Sequence, residues 1–208
     1  MATDDADVKP TADTPTPEKP VAEKPAAAAK PVAKPAKAAP PPDPRVVAAT
    51  AKGNELKAAL EKAVGAGAVQ EVSASKDVPV LVIDKTYWLQ AVTFLCNDPG
   101  QLYNYVRLFC GTDYPNYIEI TLHLFTRQHN AALYVKTRTE RDLATVPSLT
   151  GLFQGVNWEE REVYDLLGVR FEGHPDLRRI MMWEEWSGHP LRKDYSPFES
   201  LGERGGNV

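Results

Sequence analysis

The strongest constraint on this chain is a stretch that cannot fold by itself. Residues 168–208 carry Phe171, Leu177, Ile180, Met181, Met182, Trp183, Trp186, Leu191, Tyr195 and Phe198 among Gly, Pro and charged residues. Their order follows neither a helical nor a strand period. Leaving such side chains in water costs about 1.5–3 kcal/mol each. A structureless run of this length is also unusual inside a compact domain. These residues therefore bury against the body of the chain or against another polypeptide. We expect residues 157–208 to form a helix followed by an extended, partner-docking arm.

The other end of the chain has the opposite composition. Residues 1–44 hold 11 of the 18 prolines, six lysines and seven acids, with alanine filling most of the rest. Without an aromatic side chain, this segment cannot offset an ordering cost of about 1–2 kcal/mol per residue. A disordered, partly polyproline-like tail is expected there. It opens with Asp4, Asp5 and Asp7 and has no apolar h-region and no arginine before Arg45, unlike a secretory or mitochondrial leader.

Between these ends, residues 45–156 read as an α+β core domain. Leu56, Ala59, Leu60, Ala63 and Val64 recur at helical spacing after Asn54, a good N-cap, and Gly65 and Gly67 stop that helix. Val69–Ala74 and Val78–Ile83 read as short strands. Asp84 can cap a second helix carrying Trp88, Leu89, Val92 and Leu95. Leu102, Tyr105, Val106 and Phe109 are spaced for a further helical turn. Tyr117–Thr126 alternates cleanly, and Gln128-His129-Asn130 turns it into Ala131–Thr137, which predicts an antiparallel hairpin. The sum is a small, mostly antiparallel sheet with helices on one face.

Several function classes are excluded or weakened. The net charge is -4, which leaves no basic nucleic-acid surface. No run approaches the roughly 20 apolar residues of a membrane span. The two cysteines, Cys96 and Cys110, fall short of the four thiolates an iron–sulfur cluster usually takes. Gly-rich phosphate loops, GxSxG and HExxH are all missing.

The C-terminal quarter holds the candidate site. Asn157–Leu167 reads as a helix with Asn157 as N-cap and Gly168 as its stop. It concentrates Glu159, Glu160, Arg161, Glu162 and Asp165, and Arg161 can pair with Asp165 at i,i+4. Trp158 and Leu166 face away and can pack. Two segments then echo each other: Gly173-His174-Pro175-Asp176-Leu177-Arg178-Arg179, and Gly188-His189-Pro190-Leu191-Arg192-Lys193-Asp194. Each sets a Leu anchor beside cations, a common interface chemistry. Two histidines make a poor zinc site, which wants about four ligands. Turn imidazoles that satisfy backbone groups are the expected reading. A metal-dependent enzyme built on His174, His189 and the acidic helix is the remote alternative.

The run Glu160–Ile180, continued by Gly188-His189-Pro190-Leu191-Arg192-Lys193-Asp194-Tyr195, resembles the signature of the 30-kilodalton subunit of respiratory NADH:quinone oxidoreductase, complex I. Asp113-Tyr114, Tyr117–Leu124, Val146–Thr150 and Asn157-Trp158 fit it too, so the resemblance spans roughly residues 54–197. It implies a non-catalytic scaffold in the peripheral arm, on the cytoplasmic side of a bacterial inner membrane, supporting electron transfer from NADH to quinone. The implied partners are the other hydrophilic-arm subunits, above all the 49-kilodalton one. FMN, iron–sulfur clusters and quinone would sit in those partners, none in this chain, and the membrane would be reached only through them. The residues expected at the partner interface are Glu160, Arg161, Glu162, Asp165, Phe171, His174, Asp176, Arg178, Arg179, His189, Arg192, Lys193, Asp194 and Tyr195. The alternative is the equivalent subunit of a membrane-bound hydrogenase or of a dehydrogenase using another donor.

Overall fold

The computed structural model describes residues 43–196. The tail expected over residues 1–44 lies outside them, save for its last two residues.

Those two residues start the first helix, α1 (Pro44–Ala63). Asp43 is its N-cap, with Oδ1 accepting from Arg45 N at 2.9 Å. Pro44 sits in the first turn, where a missing N–H costs nothing. The helix thus begins ten residues before the expected cap, Asn54, which lies in its interior. Gly53 just before it is a poor helix former, but a Cβ there would stand 2.7 Å from Val72 Cγ1. Glycine is therefore the residue that lets α1 settle on the sheet.

Strands β1 (Val69–Ser75) and β2 (Val78–Ile83) follow as an antiparallel pair. Asp84 does cap the next element, accepting from Thr86 N at 2.9 Å. That element is one 3₁₀ turn, Lys85–Tyr87, which leads into α2 (Trp88–Asn97).

The turn expected around Leu102–Phe109 is instead a strand, β3 (Tyr105–Asp113). It pairs antiparallel with β4 (Tyr117–Thr126), from Tyr105 opposite Phe125 to Asp113 opposite Ile118. A bulge between Val106 and Leu108 inserts a residue and breaks the two-residue period by which a strand is read. β5 (Ala131–Glu140) completes the expected hairpin with β4. It runs parallel to β2, the one parallel pairing in a five-stranded sheet of order β1-β2-β5-β4-β3.

The core lies on one face of this sheet. Leu81, Val135, Leu122 and Phe109 stand opposite one another across four strands, each no more than 5% exposed. They share a cluster with Leu56 and Leu60 of α1 and with Trp88, Ala91, Val92 and Leu95 of α2.

The chain then forms β6 (Thr145–Pro147), α3 (Val156–Leu167) and β7 (Arg170–Glu172), with β6 and β7 pairing in parallel. α3 closes the core over β3 through Val163 and Leu167. Its N-cap is Gly155 and not Asn157, and no side chain caps it. Gly168 ends it as expected, in the left-handed region at φ 77°.

Candidate docking surface

Three buried carboxylates on or beside α3 tie the segments before and after it to the fold. The deepest two, Glu160 and Asp165, are 0% exposed. Glu160 Oε1 accepts from Leu149 N and Oε2 from Ser148 Oγ, both at 2.7 Å. The carboxyl therefore ties the loop after β6 to α3. Burial pushes its pKa up to about 7, against the pull of those two donors.

Asp165 organises the arm. Its Oδ2 accepts three successive backbone amides, from Ile180, Met181 and Met182, at 3.0, 2.7 and 2.9 Å. Its Oδ1 accepts Arg179 Nη1 at 2.6 Å. Burial opposes the charge, yet the three amides and the guanidinium overcome it and hold the pKa below the ordinary carboxylate value. The expected pair of Arg161 with Asp165 does not form; the Asp165 carboxylate meets Arg179 and the three amides instead. Arg161 instead donates from Nε to Arg178 O at 3.2 Å, with its guanidinium 4.8 Å from the Trp158 ring.

The second echo segment folds back onto the end of α3. His189 Nδ1 donates to Asp165 O at 2.9 Å, and Arg179 Nη2 donates to Gly188 O at 3.1 Å. Burial first, then Arg192 and Arg179, lower the His189 pKa and favour the neutral ring. Leu191 N donates to Leu166 O at 3.0 Å, and Arg192 Nε to Leu167 O at 2.7 Å. Gly168 makes room for this return: a Cβ there would lie 2.5 Å from His189 Nε2.

Asp113, at the end of β3, is the third carboxylate and is 4% exposed. It accepts Arg141 Nε and Nη2 at 2.8 and 2.9 Å, and Lys193 N at 2.9 Å. Burial raises its pKa, but Arg141 and the Lys193 amide outweigh that and hold it low. Arg141 also reaches Asp194 Oδ1 at 2.9 Å. Tyr195 N donates to Arg192 O at 3.1 Å.

The residues expected at an interface thus fall into two sets. Glu160, Arg161, Asp165, Phe171, Arg179, His189 and Arg192 face this chain's own body, and Phe171 lies 5.7 Å from Phe109 with 3% exposure. His174 also turns inward, with Nε2 on Asn157 O at 3.2 Å and Nδ1 accepting from Asp176 N at 3.0 Å. Both imidazoles therefore satisfy backbone groups. Glu162, Asp176, Arg178, Lys193 and Asp194 are exposed, with Arg178 Nε on Asp176 Oδ2 at 2.9 Å.

The arm's apolar anchors divide in the same way. Phe171 and Leu177 pack on the core. Met181 (60%), Trp183 (50%) and Leu191 (59%) stay exposed. So does Trp158 on α3 at 63%, against the expectation that it packs. No sequence signal separates these sets, because inward and outward residues alternate irregularly along the arm.

The fold and this surface define an α+β sandwich with an arm latched along one edge. The family model described as the respiratory-chain NADH dehydrogenase 30 Kd subunit matches residues 81–200, and the chain belongs to that family. The corresponding NADH-quinone oxidoreductase subunit of Methylorubrum extorquens is 39% identical over 157 residues, 73% of this chain and 71% of that protein. Its counterpart in Xanthobacter autotrophicus is 36% identical over 145 residues, 68% of each. A chain of an archaeal respiratory membrane complex, the membrane-bound sulfane sulfur reductase, matches with a TM-score of 0.57 at 20% identity. That match covers 76% of this chain and 93% of that one, and it shows a shared fold.

Proposed function

We propose that this chain is a scaffold of the peripheral arm of a proton-translocating NADH:quinone oxidoreductase, docking against its 49-kilodalton subunit. In this reading it contributes no catalytic residue. FMN, the iron–sulfur clusters and quinone belong to its partners, which hold it at the cytoplasmic side of the inner membrane. Family membership supports the parent complex. No helix among the described residues is long and apolar enough to cross a membrane, which fits attachment through other subunits.

The observation that carries the docking role is the latched arm. Asp165, Asp113 and the cations that meet them hold a stretch without regular structure in one path, while Met181, Trp183 and Leu191 point outward. A rigid strip of exposed anchors loses little entropy when a partner covers it.

The test is purification of the tagged chain from native membranes, with NADH-driven quinone reduction measured per assembled complex. Arg178→Ala removes an exposed cation from the outer surface, while Arg179→Ala breaks the latch on Asp165. Both should reduce the amount of assembled complex and leave turnover per complex near wild type. Recovery of the chain alone, or loss of turnover at full assembly, would overturn the reading.

A further inference from the structure

β3 is an edge strand of the sheet, and among the described residues nothing pairs with its outer side. A long free edge is an adhesive surface, and proteins blunt it with lysine, proline or inward charge. β3 has neither lysine nor proline, and its two other protective features, the bulge after Val106 and the inward charge of Asp113, lie at its ends and leave Leu108–Thr112 between them. Its one exposed cation, Arg107, is drawn over the sheet face, with its guanidinium 3.7 Å from the Phe125 ring centroid. Tyr105 and Leu108 remain 53% and 45% exposed.

Two separate hollows lie between β3 and α3 and together mark out an interrupted cleft along this edge. The first is lined by Tyr105, Val106, Phe153, Val156 and Glu159. The second is lined by Phe109, Gly111, Glu162, Leu166 and Leu191. Consecutive strand residues point to opposite faces, so hollows that meet Tyr105 and Val106, and Phe109, Cys110 and Gly111, reach the backbone edge itself. The bulge after Val106 leaves Leu108–Asp113 as a regular run. Glu159 and Glu162 stand on the α3 rim, one turn apart, and neither has an ion-pair partner among the described residues. Burial and the neighbouring Glu162 together raise the Glu159 pKa, as two uncompensated carboxylates require.

We propose that this cleft takes an extended segment of another subunit, which adds a strand to the β3 edge along Leu108–Thr112. Apolar side chains at alternate positions enter the cleft, and a lysine or arginine meets Glu159 and Glu162. The free edge requires an extended backbone, the lining requires apolar side chains, and the rim carboxylates require a cation. This rests on the reading of the chain as a docked subunit and adds to it a second contact, separate from the arm.

The experiment compares amide hydrogen exchange in the isolated full-length chain and in the complex purified from native membranes. The outward-pointing amides among Leu108–Thr112 should exchange at least about tenfold slower in the complex. The double variant Glu159→Gln, Glu162→Gln removes both charges and with them the like-charge repulsion. The isolated chain should therefore melt no lower than wild type, while recovery of partner subunits falls roughly tenfold at physiological salt. Unchanged exchange in a chain that still co-purifies with its partners would overturn the cleft proposal and leave the subunit reading standing. Protection already present in the isolated chain, and lost on deleting residues 1–42, would make the chain's own tail the occupant and overturn it too. A chain recovered from membranes without partners would overturn both.

Discussion

Asp165 binds Arg179 through Oδ1 at 2.6 Å, while its Oδ2 collects the amides of the three residues that follow Arg179. One carboxylate on a helix thereby sets the direction of a segment that has no secondary structure of its own. Removing such a group costs far more than removing one partner of a surface pair, because it is fully buried and its loss leaves Arg179 and three backbone amides without an acceptor.

Asp165→Asn should therefore cost about 3–5 kcal/mol in urea unfolding of the isolated chain, because Arg179 loses its counter-charge. An asparagine amide also turns N–H groups toward backbone N–H donors. Limited proteolysis should cut the variant first between Arg179 and Leu191, with the sheet intact.

Glu160 should make the chain less stable as pH rises from about 4.5 to about 7. Its carboxyl sits at about pH 7 in the fold, against 4.5 for the free side chain. A raised pKa means the folded state favours the proton. The contribution is fully present below about pH 4.5 and is lost as pH rises through about 7. The slope integrates to about 3 kcal/mol over that window. Glu160→Gln keeps an acceptor for Leu149 N and a polar group for Ser148, and should flatten the pH profile of urea unfolding midpoints.

Asp113 should act in the opposite sense. Its pKa is held low, so its contribution is present above the usual carboxylate value of 3.8 and is lost as pH falls below it. Arg141→Ala leaves a carboxylate that is 2% exposed without its bidentate partner. The variant should lose about 3 kcal/mol at pH 7. Amide exchange should speed up at Lys193 before it does in β4 or β5.

Gly168→Ala combines two penalties, a φ of 77° and a Cβ 2.5 Å from His189 Nε2. We expect about 2–3 kcal/mol of destabilisation by thermal unfolding. The double variant with His189→Ala removes the closer clash and should recover part of that loss, leaving the backbone strain and a 2.9 Å approach to Arg192 Nη2.

Much of the fold is legible from local pattern. The β4–β5 hairpin, β1 and β2, and the end of α3 at Gly168 each follow from a period or a stop residue within a few positions. β3 is hidden because its bulge interrupts the alternation, and because its strand character comes from pairing with β4. The first half of α1 is hidden because Gly53 disfavours a helix until Val72 is seen against it.

The candidate site is legible in composition but not in connectivity. The two Gly-His-Pro segments, the acidic helix and the greasy arm mark where the candidate docking surface lies. What the sequence alone decided was that the last forty residues need shelter, since their apolar side chains lack any period that would let them bury one another. Only the tertiary structure decided how that shelter is divided. Phe171 and Leu177 turn inward, and Met181, Trp183 and Leu191 are left outside. The reason is physical: a buried carboxylate takes whichever donors the fold brings to it. Asp165 met the amides of residues 180–182 and not the arginine four positions before it in its own helix.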